Sequence, residues 1–171
     1  MFEIRRDDLS GEQTRALLAL HLAEMQNNSP PENVFALDLS GLQASGVTVW
    51  TAWRDGRLAA MGALKMLPDG TAEVKSMRTH PEFLRMGAAA AILETIIGAA
   101  KAQNIRWLRL ETGSSPTFDA ALSLYRRYGF TNGPAFGDYK RSDFNQFLHL
   151  DLDNQPLSCK VGGTPITANF L

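Results

Sequence analysis

Three groups of residues in this chain have the types that chemistry needs. The first is a turn, Leu84-Arg85-Met86-Gly87, leading into Ala88, Ala89 and Ala90. A helix start leaves four backbone N–H groups without partners and carries partial positive charge, so small residues there let an anion approach those groups, and Arg85 adds a full charge beside them. A phosphate fits such a turn. The second is Glu73, because a strand carboxylate facing a cleft has its pKa raised by partial burial and can then act as a base through water; His80 is another base by residue type. The third is the pair of phenolic hydroxyls of Tyr125 and Tyr128. Each has a plainer structural reading as well. Gly87 would serve the turn and the alanines the packing of helix on sheet; Glu73 would pair with Lys75 on a solvated face; His80, before Pro81, would belong to a turn; Tyr125 would keep its ring in the core and its hydroxyl in water.

The elements around these residues follow from periodicity. From Thr71 to His80, Ala72, Val74, Ser76 and Arg78 alternate with Glu73, Lys75, Met77 and Thr79, which predicts a strand that Pro81 ends. Ala89, Ile92, Leu93, Ile96, Ile97 and Ala100 then recur at the helical period, leaving Glu94, Thr95 and Lys101 to water. Arg106 to Thr112 alternates as a strand, and the helical crossover before it favours parallel pairing. A helix over Thr117 to Tyr128, ended by Gly129, follows the break at Gly113 to Pro116. Upstream, Phe2 to Arg5 is a short strand, and Ser10 is placed to cap a helix carrying Leu17, Leu18, Leu20, Leu22 and Met25. The prolines of Asn28-Ser29-Pro30-Pro31 stop it, and a short second helix falls within Glu32 to Leu42. Val47 to Arg54 and Arg57 to Leu67 form a hairpin through Asp55-Gly56, the dipeptide of a type I′ turn, with Trp50 and Trp53 on opposite faces. Asp69-Gly70 turns into the next strand. Phe130 to Phe136 and Gln146 to Leu152 make a last hairpin with a long tip over residues 137–141.

Two of these segments resemble the GNAT (Gcn5-related N-acetyltransferase) superfamily. Its pyrophosphate loop, Q/R-x-x-G-x-G/A at a helix start, is matched by Leu84-Arg85-Met86-Gly87-Ala88-Ala89, with Leu84 in place of Gln or Arg; its A-x-x-x-Y-x-x-x-G-F helix end is matched from Ala121 through Tyr125 to Gly129-Phe130. The resemblance covers roughly residues 1 to 151. It implies an α/β (α+β) fold with a central mixed, mostly antiparallel sheet of about seven strands, a splayed parallel pair that takes acetyl-pantetheine, and flanking helices. It also implies acetyl-CoA as co-substrate, held by Met77, Arg78, Thr79, the loop from Leu84 to Ala90, and the position of Phe118, where many members carry Asn. Tyr125 is implied as general acid, and Glu73, fourteen residues before Gly87 as in the histone-acetylating branch, as base. An oxyanion would meet a backbone N–H near Met77. The acceptor side is expected at Ser29, Pro30, Trp50, Phe136 and Tyr139.

The chain has 171 residues, 44% hydrophobic and 20% charged, with a net charge of −1. This is enough for one core, taken here as a domain over residues 1–152 with an extension over 153–171. There is no basic stripe to bind nucleic acid, no apolar run long enough to cross a membrane and no leader-like start, so the chain is expected in the cytoplasm. One cysteine and three scattered histidines offer no metal-ligand spacing, and no metal is expected. The expected partner is a small-molecule or peptide amine, attacking the thioester directly in a ternary complex; a homodimer is left open. The alternative is a non-catalytic acyl-CoA binding or sensing module. G-x-x-x-x-G-K-S/T and G-x-G-x-x-G are both absent, which argues against a nucleotide-binding domain.

Overall fold

A computed structural model of the chain describes residues 1–155. It contains strands β1 (Glu3–Asp7), β2 (Val47–Arg54), β3 (Arg57–Met66), β4 (Ala72–Thr79), β5 (Trp107–Gly113), β6 (Thr131–Asn132) and β7 (Asn145–Asp151), with helices α1 (Glu12–Asn28), α2 (Leu39–Leu42), α3 (Ala88–Ala102) and α4 (Asp119–Arg127). The strands form one sheet in the order β1-β2-β3-β4-β5-β7-β6, and the parallel neighbours are β4 and β5. The expected seven-stranded mixed sheet is therefore present. The last strand inserts beside β5, between it and β6. Of the proposed C-terminal extension, all but its first three residues lies outside the described residues.

Two apolar layers sandwich the sheet. One holds α3 and α4 through Ile92, Leu93, Ile96, Leu122 and Tyr125 against Leu64, Val74, Leu108 and Leu110. The other holds α1 and α2 through Leu17, Leu18 and Leu42 against Val49, Met61 and Ala63. Helix α3 sits close to β3 because Gly62 has no side chain: a Cβ there would lie 2.5 Å from both Ile92 Cγ2 and Met77 Sδ. The hairpin turn has the expected type, with positive φ at both Asp55 (51°) and Gly56 (73°).

Two local expectations are corrected. Ser10 does not cap α1; its hydroxyl donates to Asp8 at 2.6 Å, and the helix begins after Gly11 without a side-chain cap. The alternation of β4 does not run through to Arg78 either. The register jumps from Ala63↔Lys75 to Met61↔Arg78, two steps on β3 against three on β4, and Ser76 there has φ 55°. That is a β-bulge, and an extra residue reverses the facing of everything beyond it. Arg78, expected on the face of Val74, thus joins Glu73 and Lys75 on the α1 side, while Met77 packs on the α3 side.

Candidate functional site

Strands β4 and β5 are paired at Ala72↔Leu108 and Glu73↔Arg109, and the pairing goes no further. Beyond Glu73 the bulge bends β4 away and the two strands diverge. The gap is a cleft of about 270 Å³ lined by Val74 to Arg78 of β4, Leu110 to Gly113 of β5, Ala121 and Tyr125 from α4, His21, Glu24, Met25 and Asn28 from α1, and residues of the loop after α1. Because β4 and β5 are interior strands, the cleft passes between the two faces of the sheet.

On the α4 side stands Tyr125. It is 6% exposed, its ring is edge-on to Phe130 at 5.7 Å, and burial pushes its hydroxyl well above the ordinary phenol range. No hydrogen bond to that hydroxyl is found among the described residues, so its proton is available to whatever occupies the cleft. Gly113 and Phe118 close the wall beside it: a Cβ on Gly113 would fall 2.3 Å from the Phe118 ring, which is itself edge-on to Phe144 at 5.8 Å. Phe118, expected at the cofactor, does line the cleft.

On the α1 side the charged residues sort into pairs. Glu73 is 2% exposed, accepts a hydrogen bond from the Tyr139 hydroxyl at 2.5 Å and lies 3.5 Å from Lys75 Nζ. Lys75 also donates to Tyr139 Oη at 2.8 Å and to the Phe35 carbonyl at 3.0 Å, so two of its ammonium protons are hydrogen-bonded and its charge is met by Glu73. Glu73, expected as the base, is thus held behind the cleft wall in a buried pair. Arg78 lines the cleft, donating from Nε to His21 Nδ1 at 3.2 Å and pairing with Glu24. His21 accepts that bond as a neutral imidazole, since burial first, and then the charges of Arg78 and Lys75, pull its pKa down to about 4.

Besides Glu24, which is paired with Arg78, the carboxylate that faces the cleft is Glu111 of β5, a residue that periodicity and motif did not single out. Burial, outweighing the attraction of Lys75 and helped by repulsion from Glu73, pushes its pKa up to about 7, and no hydrogen bond to it is found among the described residues. Its signal was a register step. Arg109 is opposite Glu73 in the parallel pair, so Glu111, two residues on, shares that face at the point where pairing stops. Burial supplies what periodicity could not: Leu108 and Leu110 turn to the α3 side, leaving Glu111 on the α1 side. Ser76 contributes a buried hydroxyl to the cleft with no protein partner.

The turn before α3 has the form that an anion needs. Arg85 (φ 61°) and Gly87 (φ 86°) both lie in the left-handed region, Gly87 has nothing within 4 Å of where a Cβ would be, and Leu84, Arg85, Met86 and Gly87 are exposed. Such backbone presents successive N–H groups to one point. Ala88 is buried as the first core residue of α3, with Ala89 and Ala90 at its rim, so the apolar stripe begins one residue earlier than periodicity placed it.

The remaining expected positions divide. Ser29 lines the cleft. Pro30 starts a 3₁₀ turn just beyond it. Phe136 and Tyr139 stand behind the wall, Tyr139 edge-on to the cleft residue Phe35 at 5.0 Å and to Phe136 at 5.2 Å. Trp50 does not reach the cleft: it is opposite Gly62 on β2, two strands away from the gap, and packs against the α3-side core. Thr79 lies past the bulge, where β4 pairs with Ala60. Among the described residues no three His, Cys, Asp or Glu converge to hold a metal ion, and no helix is long and apolar enough to cross a membrane.

Comparison with known proteins agrees with this architecture. The family model described as Acetyltransferase (GNAT) family matches residues 14–130. An uncharacterized N-acetyltransferase of Escherichia coli (strain K12), YedL, is 42% identical over 152 residues, covering 89% of this chain and 96% of its own. A crystal structure from Klebsiella pneumoniae, an acyl-CoA N-acyltransferase candidate, superposes with a TM-score of 0.75 at 25% identity, covering 89% of this chain and 98% of its own. The yncA structure from Salmonella typhimurium, solved with its cofactor acetyl-CoA, superposes with a TM-score of 0.67 at 18% identity, over 90% of this chain and 95% of that one.

Proposed function

The chain belongs to the GNAT family of acetyltransferases, and from that premise we propose that it moves an acetyl group from acetyl-CoA to a primary amine by direct attack in a ternary complex. One observation carries this reading: the gap between β4 and β5 has a phenol on its α4 face and an unpaired carboxyl on its α1 face. A thioester carbonyl seated in the gap then has a proton donor on one side and a proton acceptor on the other.

The pyrophosphate of the co-substrate would meet the N–H groups of residues 85 to 90, with Arg85 supplying charge, and pantetheine would run into the gap along β4. An acceptor entering from the α1 side as an ammonium ion gives a proton to Glu111, directly or through a water. The neutral nitrogen attacks the carbonyl carbon and the C–N bond forms. As the tetrahedral adduct collapses the C–S bond breaks, the Tyr125 hydroxyl protonates the departing thiolate, and the second proton shed by the new amide nitrogen returns through water to the Tyr125 oxygen, while Glu111 releases its proton to solvent. The buried phenol keeps its proton until an anion appears beside it, which suits an acid. A carboxyl with a pKa of about 7 suits a base at neutral pH. The bulge at Ser76 and Met77 turns backbone and one orphan hydroxyl toward the place where negative charge develops on the carbonyl oxygen.

Removing the acid tests the reading. Tyr125→Phe deletes the donor and little volume, so turnover should fall on the order of a hundredfold while CoA binding, measured by calorimetry, stays within a few-fold of wild type. Turnover within about twofold of wild type would remove Tyr125 from the mechanism. The rival, a sensor that binds acyl-CoA without turning it over, is disfavoured because both proton-transfer groups face the gap; it predicts CoA binding with no amine-dependent release of CoA.

A further inference from the structure

The charged residues that line the cleft are Glu24, Lys75, Arg78 and Glu111. Both cations already have a counter-charge inside the protein. Lys75 is held by Glu73, Tyr139 and the Phe35 carbonyl, each within 3.5 Å. Arg78 is held by Glu24 and His21, and His21 is neutral. Glu111 is left without a hydrogen bond among the described residues. The charge that this arrangement lacks is one cation. A ligand bringing a carboxylate would place it among Glu24, Glu73 and Glu111 with no free cation to meet it, and an unmatched charge in a poorly hydrated site is strongly disfavoured. The rest of the acceptor-side wall carries no charge: apolar Met25, Val34, Phe35, Ala36 and Phe144 form most of it, with Asn28, Ser29 and Asn33 among them.

Building on the acetyl-transfer reading above, we infer that the acceptor is a primary amine with an apolar body and no carboxylate beside its nitrogen, rather than an amino acid. Its ammonium faces Glu111 and its body lies against Phe35 and Phe144. The Arg78–Glu24 pair acts as a specificity determinant, since Glu24 neutralises the guanidinium that would otherwise capture an acid.

Three probes of one shape separate the outcomes: phenethylamine, L-phenylalaninamide and L-phenylalanine, each assayed with acetyl-CoA on the full chain. The amine and the amide should react with kcat/KM values within about tenfold of one another, and phenylalanine at least about tenfold more slowly than either. Glu24→Gln releases Arg78 and should narrow the ratio of amine to acid at least about fivefold; a ratio cancels any general loss of activity in the variant. If phenylalanine is acetylated as well as phenethylamine, the inferred class is wrong and acetyl transfer stands. If none of the three is acetylated although CoA binds, the class is also wrong. If CoA does not bind, the underlying reading fails with it.

Discussion

Glu73 and Glu111 are carboxylates on the same face of adjacent strands, and their partners separate their roles. Glu73 is 2% exposed and bound to Tyr139 and Lys75, so replacing it leaves a buried ammonium short of its counter-ion. Glu73→Gln is therefore expected to lower stability by about 3 kcal/mol in urea denaturation and to keep the pH limb of turnover but move it to lower pH, because the Glu73 charge that helps raise the Glu111 pKa is gone. Glu111 has no such partner among the described residues, and Glu111→Gln should be mild for the fold and severe for the rate. At the anion turn, Gly87 has φ 86°, and Gly87→Glu puts strain, bulk and negative charge where a phosphate would sit; CoA affinity by calorimetry should fall at least about tenfold, and unchanged affinity would mean the site is elsewhere. The turn and Tyr125 were legible because both sit in local patterns, a Gly at a helix start and a Tyr four residues before a Gly that ends one. Glu111 was not, because its importance depends on where pairing between two strands stops, a contact between residues far apart in the chain.

The strands of the sheet were visible as alternation or turn chemistry, and the hairpin at Asp55-Gly56 was specific to its type, but of the strand expected over Phe130 to Phe136 the structure keeps only Thr131–Asn132. The bulge in β4 was not visible, since Ser76-Met77-Arg78 carries no Gly and alternates like its neighbours. It has two consequences: it opens the gap beside β5, and it turns Arg78 to the acceptor side. The close seating of α3 depends on Gly62, opposite the bulge. Gly62→Ala would set a Cβ 2.5 Å from Ile92 Cγ2 and Met77 Sδ, and overpacking of this kind costs about 1–3 kcal/mol. We expect a lower urea midpoint and weaker CoA binding together, because Met77 borders the gap; a midpoint equal to wild type would show that α3 has room to move. Trp50 illustrates the limit of face assignment. It does lie on the face opposite Trp53, but that face is the α3 side and not the acceptor side, and β2 is two strands from the gap.

Across the whole molecule, the two cleft groups whose shifts fall in the acid-to-neutral range act on stability in opposite directions. His21, pulled from 6.5 to about 4, favours the folded state above pH 6.5, and that contribution is lost as pH falls toward 4. Glu111, raised from 4.5 to about 7, favours the folded state below pH 4.5, and its contribution is lost as pH rises through 7. Each is worth about 3 kcal/mol by linkage, so between pH 4.5 and 6.5 they largely cancel. Wild-type stability from these two groups should be nearly flat there, whereas Glu111→Gln should uncover a stability that rises with pH and His21→Gln one that falls, both measurable as urea midpoints at pH 4.5, 5.5 and 6.5. The central claim concerns the same carboxyl in catalysis, and the most direct measurement is the pH profile of kcat/KM for acetyl transfer to two amines of different basicity, in wild type and in Glu111→Gln. A base at Glu111 gives a wild-type rate that rises through a pKa near 7 whichever amine is used, with that limb absent and the rate about a hundredfold lower in the variant. A limb that moves with the amine and survives in Glu111→Gln would contradict it.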